Sequence, residues 1–395
     1  MDFYVSPSFW FLLIAAVVPA AILGFTGRRI RYYGLVASVA FLLLLFSVNM
    51  IGLLYFLVFL VLAAVVTAVV MREWSRGQQR LWVYRLGLAV VLVPLACSKV
   101  GAVFDENILG FIGISYITFK AIQVLIEIRD GIIGRLTPFD YLYFLLFFAP
   151  FTSGPIDRSR RFTDDAARTF SRDEYAGLLS KGIVMLLTGA VYKTILASVV
   201  FAAYTPETLG LGFGAREVVA AVKDAYAYGL YLFFDFAGYS LMAIGAGCCF
   251  GIVTPANFKA PFLSCDIKEF WNRWHITLSF WLRDFVFMRF TRFAIKRKLF
   301  GSRQTVACVG YVFNMTLMGA WHGLTLDYLA YGLFHGLLLA ATDIYQKRSG
   351  FHKRYKNAAW YRVASWVVTL NLVMFGFALF SGQAHLITGG LLHGY

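Results

Sequence analysis

Residues 51–71 read IGLLYFLVFLVLAAVVTAVVM, without a single charge. Such a run leaves a chain few ways to fold. About 20 apolar residues, each rising about 1.5 Å in a helix, cover the hydrocarbon core of a bilayer. Inside that core the segment must satisfy its own backbone N–H and C=O groups, which a helix does and a lone strand does not. The rest of the 395 residues follows suit. The chain is 60% hydrophobic, 18% aromatic and 14% charged, with a mean hydropathy of +0.70, whereas soluble domains are about half apolar and about a quarter charged. The expectation is an all-α, polytopic membrane protein.

The apolar pattern predicts about eleven spans, near residues 8–25, 34–48, 51–71, 86–98, 109–128, 182–203, 226–253, 271–288, 305–324, 328–345 and 362–380. The stretch YLYFLLFFAPFTSGP (141–155) is too short to cross and ends in a Gly-Pro break, so it reads as a re-entrant or interfacial piece. The N-terminus has Asp2 but no Lys or Arg before its first apolar run, so it lacks the basic region of a cleaved signal and the first helix is expected to stay. Arg28, Arg29 and Arg31 follow the first span, and REWSRGQQRLWVYR (72–85) carries four Arg against one Glu after the third, while the turn between spans two and three is uncharged. The positive-inside rule then puts the N-terminus outside. No linker or long repeat divides the chain, so residues 1–395 are read as one domain. The echo of WHGL in FHGL (residues 321 and 334) is too short to count as a repeat.

The five cysteines form no C-x-x-C pair and have no histidine at metal-ligand spacing, so they read as small packing residues and no metal is expected. GLGFGAR (210–216) lacks dinucleotide-binding spacing and reads as a loop. The net charge of +15 does not indicate nucleic acid, because the basic residues are scattered through short loops. The densest block, RFTRFAIKRKLFGSR (289–303), has six Lys or Arg and no acid. Arg289, Arg292, Lys296, Arg297 and Lys298 are interleaved there with Phe290, Phe293, Ile295, Leu299 and Phe300. The block suits a positive-inside anchor on anionic lipid, or a docking surface for an acidic partner that also offers an apolar anchor.

Two histidines stand out against this background. His275 closes the polar knot Trp271-Asn272-Arg273-Trp274-His275, and His322 sits alone in NMTLMGAWHGLTLDY. An ionisable side chain inside a span is costly and marks an interior functional site. On a continuous helix Trp271, Trp274 and His275 would share one face, and Gly319 and Gly323 around His322 would let a second helix approach closely. Imidazole suits proton abstraction near neutral pH. No G-x-S-x-G elbow, H-E-x-x-H or phosphate-binding G-x-x-x-x-G-K-[ST] accompanies either histidine. An enzyme of this kind would use a histidine directly as general base on an incoming hydroxyl, with an acyl group activated elsewhere.

The block TPANFKAPFLSCDIKEFWNRWHITLSFWLRDFVF (254–287), followed by the isolated histidine of GAWHG, resembles the membrane-bound O-acyltransferase (MBOAT) superfamily. GISYITFKAIQVLIEIRDG (113–131), TSGPIDRSRRF (152–162) and FFDFAGYSLMAIG (233–245) are similar to its teichoic-acid D-alanylation branch. The resemblance implies an internal tunnel and a D-alanyl thioester on the phosphopantetheine arm of a small acidic carrier protein, with no tightly bound cofactor. It also implies a bacterial cytoplasmic membrane, other D-alanylation proteins as partners, and a hydroxyl acceptor at the outer face. The carrier would dock on 289–303. By the same resemblance His322 is the general base and His275 an assisting or positioning group. Trp271, Asn272, Arg273, Trp274, Asp284, Asp235 and Tyr239 would scaffold the site or line the tunnel. A straight helix from Arg303 would put His322 roughly 28 Å from the basic block, near the opposite face.

Other classes compete. A secondary transporter predicts paired broken helices in two halves, which the sequence does not show. A passive export scaffold gives no reason for two interior histidines. Among enzymes the runner-up is an O-acetyltransferase of an exported polysaccharide, resembling the alginate enzyme.

Overall fold

The computed structural model describes residues 3–205 and 215–383 and is helical, with no strand among the described residues. Contacts group the chain into two compact units. One comprises Met1–Thr194 with Ala237–Ala256, the other Ile195–Phe236 with Asn257–Tyr395.

The first unit begins with four apolar helices, α1 (Pro7–Phe25), α2 (Arg31–Phe46), α3 (Met50–Ser75) and α4 (Leu81–Gly101). Next come α5 (Ile114–Arg129), the short α6 (Pro138–Leu146) and α7 (Ser159–Ala167), and α8 (Arg172–Ala190), whose π-helical continuation runs into α9 (Ala197–Phe201), by sequence part of the second unit. Helix α10 (Ala215–Cys249) supplies its last part to this unit. There α8 and α10 touch backbone to backbone. A Cβ on Gly182 would come within 2.8 Å of the Gly245 carbonyl oxygen, and one on Gly189 within 2.6 Å of the Gly238 carbonyl oxygen. Small residues at such a crossing replace the hydrophobic driving force that lipid cannot supply.

Unlike the helices around it, α5 buries nearly its whole length, Lys120, Gln123 and Glu127 included. Two of their donor groups are answered within the unit. Lys120 Nζ donates to the Phe144 carbonyl (3.0 Å) and Gln123 Nε2 to the Asp157 carbonyl (2.9 Å). Arg161 pairs with Asp157 and with Asp165 (2.8 Å).

The second unit takes the first part of α10 and continues with α11 (Ile267–Arg273), α12 (Ile276–Leu282) and α13 (Met288–Lys296). It ends with α14 (Arg303–His322), α15 (Leu326–Arg348), α16 (Gly350–Tyr355) and α17 (Ala359–Ala378). Helices α14 and α15 form its spine, and Gly319 and Gly332 face each other across it. A Cβ on Gly319 would lie 3.1 Å from the Gly332 Cα, and one on Gly336 2.7 Å from the Val312 Cα. At the end of α15, buried Asp343 accepts from Lys268 Nζ (2.5 Å), Lys347 Nζ (2.7 Å) and Gln304 Nε2, tying α11 to α14 and α15.

Six helical runs among the described residues are long and apolar enough to cross a membrane: Pro7–Phe25, Met50–Ser75, Leu81–Phe104, Arg172–Phe201, Val218–Cys249 and Ala359–Gly382. The count of eleven is not reproduced. Helices α5, α14 and α15 fall where spans were expected, but they carry polar side chains turned to protein instead of lipid. The segment 271–288 is no single helix. α11 stops at Arg273, Trp274 is extended (φ −106°, ψ 131°), and His275 takes a left-handed conformation (φ 41°, ψ 51°) before α12 begins. Trp271, Trp274 and His275 therefore do not share a helical face. The five cysteines are free, and no group of metal-ligating side chains occurs among the described residues. Residues 206–214, most of the GLGFGAR stretch, lie outside the described residues.

Candidate active site

The break before α12 is fastened by a short strap, residues 257–259. The Ile276 N–H donates to the Asn257 carbonyl (2.9 Å) and the Lys259 N–H to the Arg273 carbonyl (3.0 Å). Thr277 Oγ1 donates to Asn257 Oδ1 (2.6 Å). Ser279 Oγ caps the Trp274 carbonyl at 3.2 Å. With its backbone fixed, the His275 ring is 4% exposed and stands edge-on to Phe236 at 4.6 Å. Its buried Nδ1 finds no hydrogen-bond partner among the described residues.

His322 reaches the same place from another direction. It is the last residue of α14, and Gly323 behind it is extended and accommodates the Tyr328 ring. The half-buried imidazole lies between Tyr328 (6.0 Å, near-parallel) and Phe380 (4.9 Å, perpendicular). His275 and His322 both line one small chamber of about 50 Å³. Tyr331 of α15 and Phe377 and Phe380 from the end of the chain complete much of its wall. Trp271, Leu278 and Met318 also line it, and on their other side they line a larger cavity of about 230 Å³. That cavity is bordered by Lys268, Asn272, Ser279, Arg283 and Asn314. Asn314 Oδ1 is buried without a partner among the described residues. The second unit thus holds a polar-edged cavity and an aromatic chamber separated by three side chains, with two imidazoles at the inner end.

Of the expected site residues, Trp271, Trp274, His275 and His322 meet at the chamber and Asn272 borders the larger cavity. Arg273 pairs instead with Glu269 (2.6 Å), and Asp284 with Arg283 (2.9 Å). Neither lines either cavity, nor does Asp235 on α10. Tyr239 belongs to the first unit, where its hydroxyl meets Thr152 Oγ1 at 2.5 Å and accepts from the Ser153 N–H.

On α13 and the turn after it, Arg292, Lys296, Arg297 and Lys298 are exposed and Arg289 is half-buried. Phe293, Ile295 and Leu299 stand exposed among them, at 54%, 48% and 52%. This surface leads into α14 through Lys298, which turns left-handed (φ 52°).

Sequence reasoning missed Phe236, Met318, Tyr331, Phe377 and Phe380, which line the chamber, and His335 behind it. His335 is fully buried, its ring 5.2 Å from Trp271 and 4.7 Å from Tyr331, and both ring nitrogens lack partners among the described residues. The available signal was Gly332-x-x-x-Gly336, the spacing that turns one face of α15 toward α14.

The described chain combines long apolar helices with two histidines that line one chamber. The particular family follows from comparison. The model of the membrane-bound O-acyltransferase (MBOAT) family matches residues 32–382, and the chain belongs to that family and is an acyltransferase. It is 36% identical over 390 residues to the teichoic acid D-alanyltransferase of Bacillus subtilis (strain 168), covering 96% of this chain and 98% of that one. The teichoic acid D-alanyltransferase of Lacticaseibacillus rhamnosus is 38% identical, with 96% of each chain covered. The probable alginate O-acetylase AlgI of Pseudomonas aeruginosa is 33% identical over 70% of this chain and 50% of its own.

Proposed function

We propose that this acyltransferase carries D-alanine from a phosphopantetheine thioester on a small acidic carrier protein to a hydroxyl of a teichoic acid or similar envelope polymer. In this reading it works in the bacterial cytoplasmic membrane with the other proteins of a D-alanylation system. The observation that carries it is the joint presence of His275 and His322 in one small chamber next to a larger cavity. Near-full-length similarity to proteins named teichoic acid D-alanyltransferases supports the acyl group.

The carrier docks on the cationic and apolar surface of α13, and its arm occupies the larger cavity. Asn272, Ser279 and the unpartnered Asn314 carbonyl offer hydrogen bonds to the arm's amides there. The thioester carbonyl passes Trp271, Leu278 and Met318 into the chamber. His322 accepts the proton of the incoming hydroxyl as its oxygen attacks the carbonyl carbon. The C–O bond forms, the C–S bond breaks, and the departing sulfur takes the proton back from the imidazolium. His275 orients the reacting groups. A general base of this kind supplies roughly 10²- to 10⁴-fold in rate.

Single-turnover transfer from saturating D-alanyl-carrier to polymer by folded, purified protein tests this. His322→Gln keeps polarity but takes no proton near neutral pH, and its rate should fall by about 10²-fold or more. His275→Ala should retain more activity. Near-normal transfer by His322→Gln would remove His322 from the chemistry. A chamber of about 50 Å³ also suits a two-carbon acetyl group. O-acetyl transfer is therefore the second reading, separated by offering acetyl and D-alanyl donors side by side.

A further inference from the structure

Among the described residues no carboxylate lines the chamber. Its described lining comes from α10, α11, α12, α14, α15, α17, the Trp274–His275 break and Phe380, and none of these turns an Asp, Glu, Lys or Arg into it. The titratable groups that face it are His275 from the break, His322 from α14 and Tyr331 from α15. Tyr328 stacks behind His322, and His335 lies behind Trp271 and Tyr331. The remaining walls are aliphatic and aromatic. The space is small, about 50 Å³, so a small acyl group fills it and leaves little room for water.

We propose that the chamber accepts the transferred group uncharged, so that an aminoacyl group enters as its free amine. This rests on the D-alanyl reading above. Neutral ring nitrogens and a phenol can accept hydrogen bonds from an ammonium, but with no carboxylate to pair its charge a buried ammonium is costly, and such a group sheds its proton instead. Aromatic faces offset part of that cost through cation–π attraction. An α-amine of ordinary pKa about 7.7–8.0 is already free in about one molecule in ten at pH 7. Deprotonation to bulk water before entry thus lowers occupancy only about tenfold. An aminoacyl group is suited to such a filter, because its amine titrates near neutrality where a lysine ammonium at about 10.4 does not.

The test compares two donors on the intact protein in nanodiscs. One is carrier charged with D-alanine; the other is the same carrier charged with D-lactate, in which a hydroxyl replaces the amine. Any pH dependence that the two imidazoles impose acts equally on both donors and cancels in the ratio of kcat/KM values. That ratio should rise about tenfold per unit from pH 6 to near pH 8 and then level off, with its inflection at the amine pKa of the charged carrier. A ratio that stays flat or falls with rising pH would overturn the free-amine proposal while leaving the D-alanyl reading intact. Transfer of D-lactate with no D-alanine transfer even at pH 9 would overturn both.

Discussion

His275 occupies the left-handed backbone region at φ 41°, where the steric cost for a residue with a Cβ is roughly 1–2 kcal/mol. Glycine escapes that cost and asparagine lessens it. The strap from Asn257 to Lys259 and the burial against Phe236 hold the residue there. His275→Gly and His275→Asn should therefore fold more stably than His275→Ala, by about 1 kcal/mol for the glycine variant, measured as thermal unfolding in detergent. All three should be impaired in transfer. Equal stabilities for Gly and Ala would mean that the backbone relaxes once the ring is gone. The same residue shows how far the sequence could be read. Its interior position was legible as an ionisable group in a polar knot within an apolar chain. Its geometry was not, because no Gly, Pro or Asn marks the break between Arg273 and Ile276.

At the scale of elements, the apolar runs of α1, α3, α4 and α17 were plain because lipid-facing residues announce themselves by composition. A helix buried on all sides gives no such plain signal: α5 conceals Lys120, Gln123 and Glu127 behind an apolar pattern that also suits lipid. The chamber's aromatic wall escaped notice because Phe377 and Phe380 lie about a hundred residues from His275 in the chain, and a phenylalanine in an apolar run carries no individual signal. The crossing of α14 and α15 gives a direct prediction. A side chain on Gly332 would meet the Met315 carbonyl oxygen and the Gly319 backbone, so Gly332→Val should force the helices apart. Overpacking of this kind costs about 1–3 kcal/mol, read as a lower melting temperature and slower transfer. Helix α13 gives another. Arg297→Glu with Lys298→Glu should weaken carrier binding by about tenfold at low salt, with mutant and wild type converging as salt screens the attraction. Unchanged low-salt affinity would leave the block as a lipid anchor alone.

For the whole molecule, the basic segments at 28–31, 72–85 and 289–303 make the orientation testable. Cysteines placed at Arg76 and Lys298 should react with an impermeant reagent only from the cytoplasmic side of sealed vesicles, and one at Val48 only from the outside. Labelling of position 298 from outside would reverse the topology and with it the carrier-docking assignment. The order of the chain also sets a timetable for biogenesis. The first unit is interrupted: its closing piece, Ala237–Ala256, is synthesised only after Ile195–Phe236 of the second. Until Gly238 and Gly245 emerge, the glycines of α8 have no partner to pack against. At about 5–20 residues per second that interval lasts roughly two to eight seconds, during which a nascent chain carries an uncovered seam in the membrane. A chain stopped near residue 200 should therefore stay open to proteases and insertion-quality control, and one extended to about residue 260 should not.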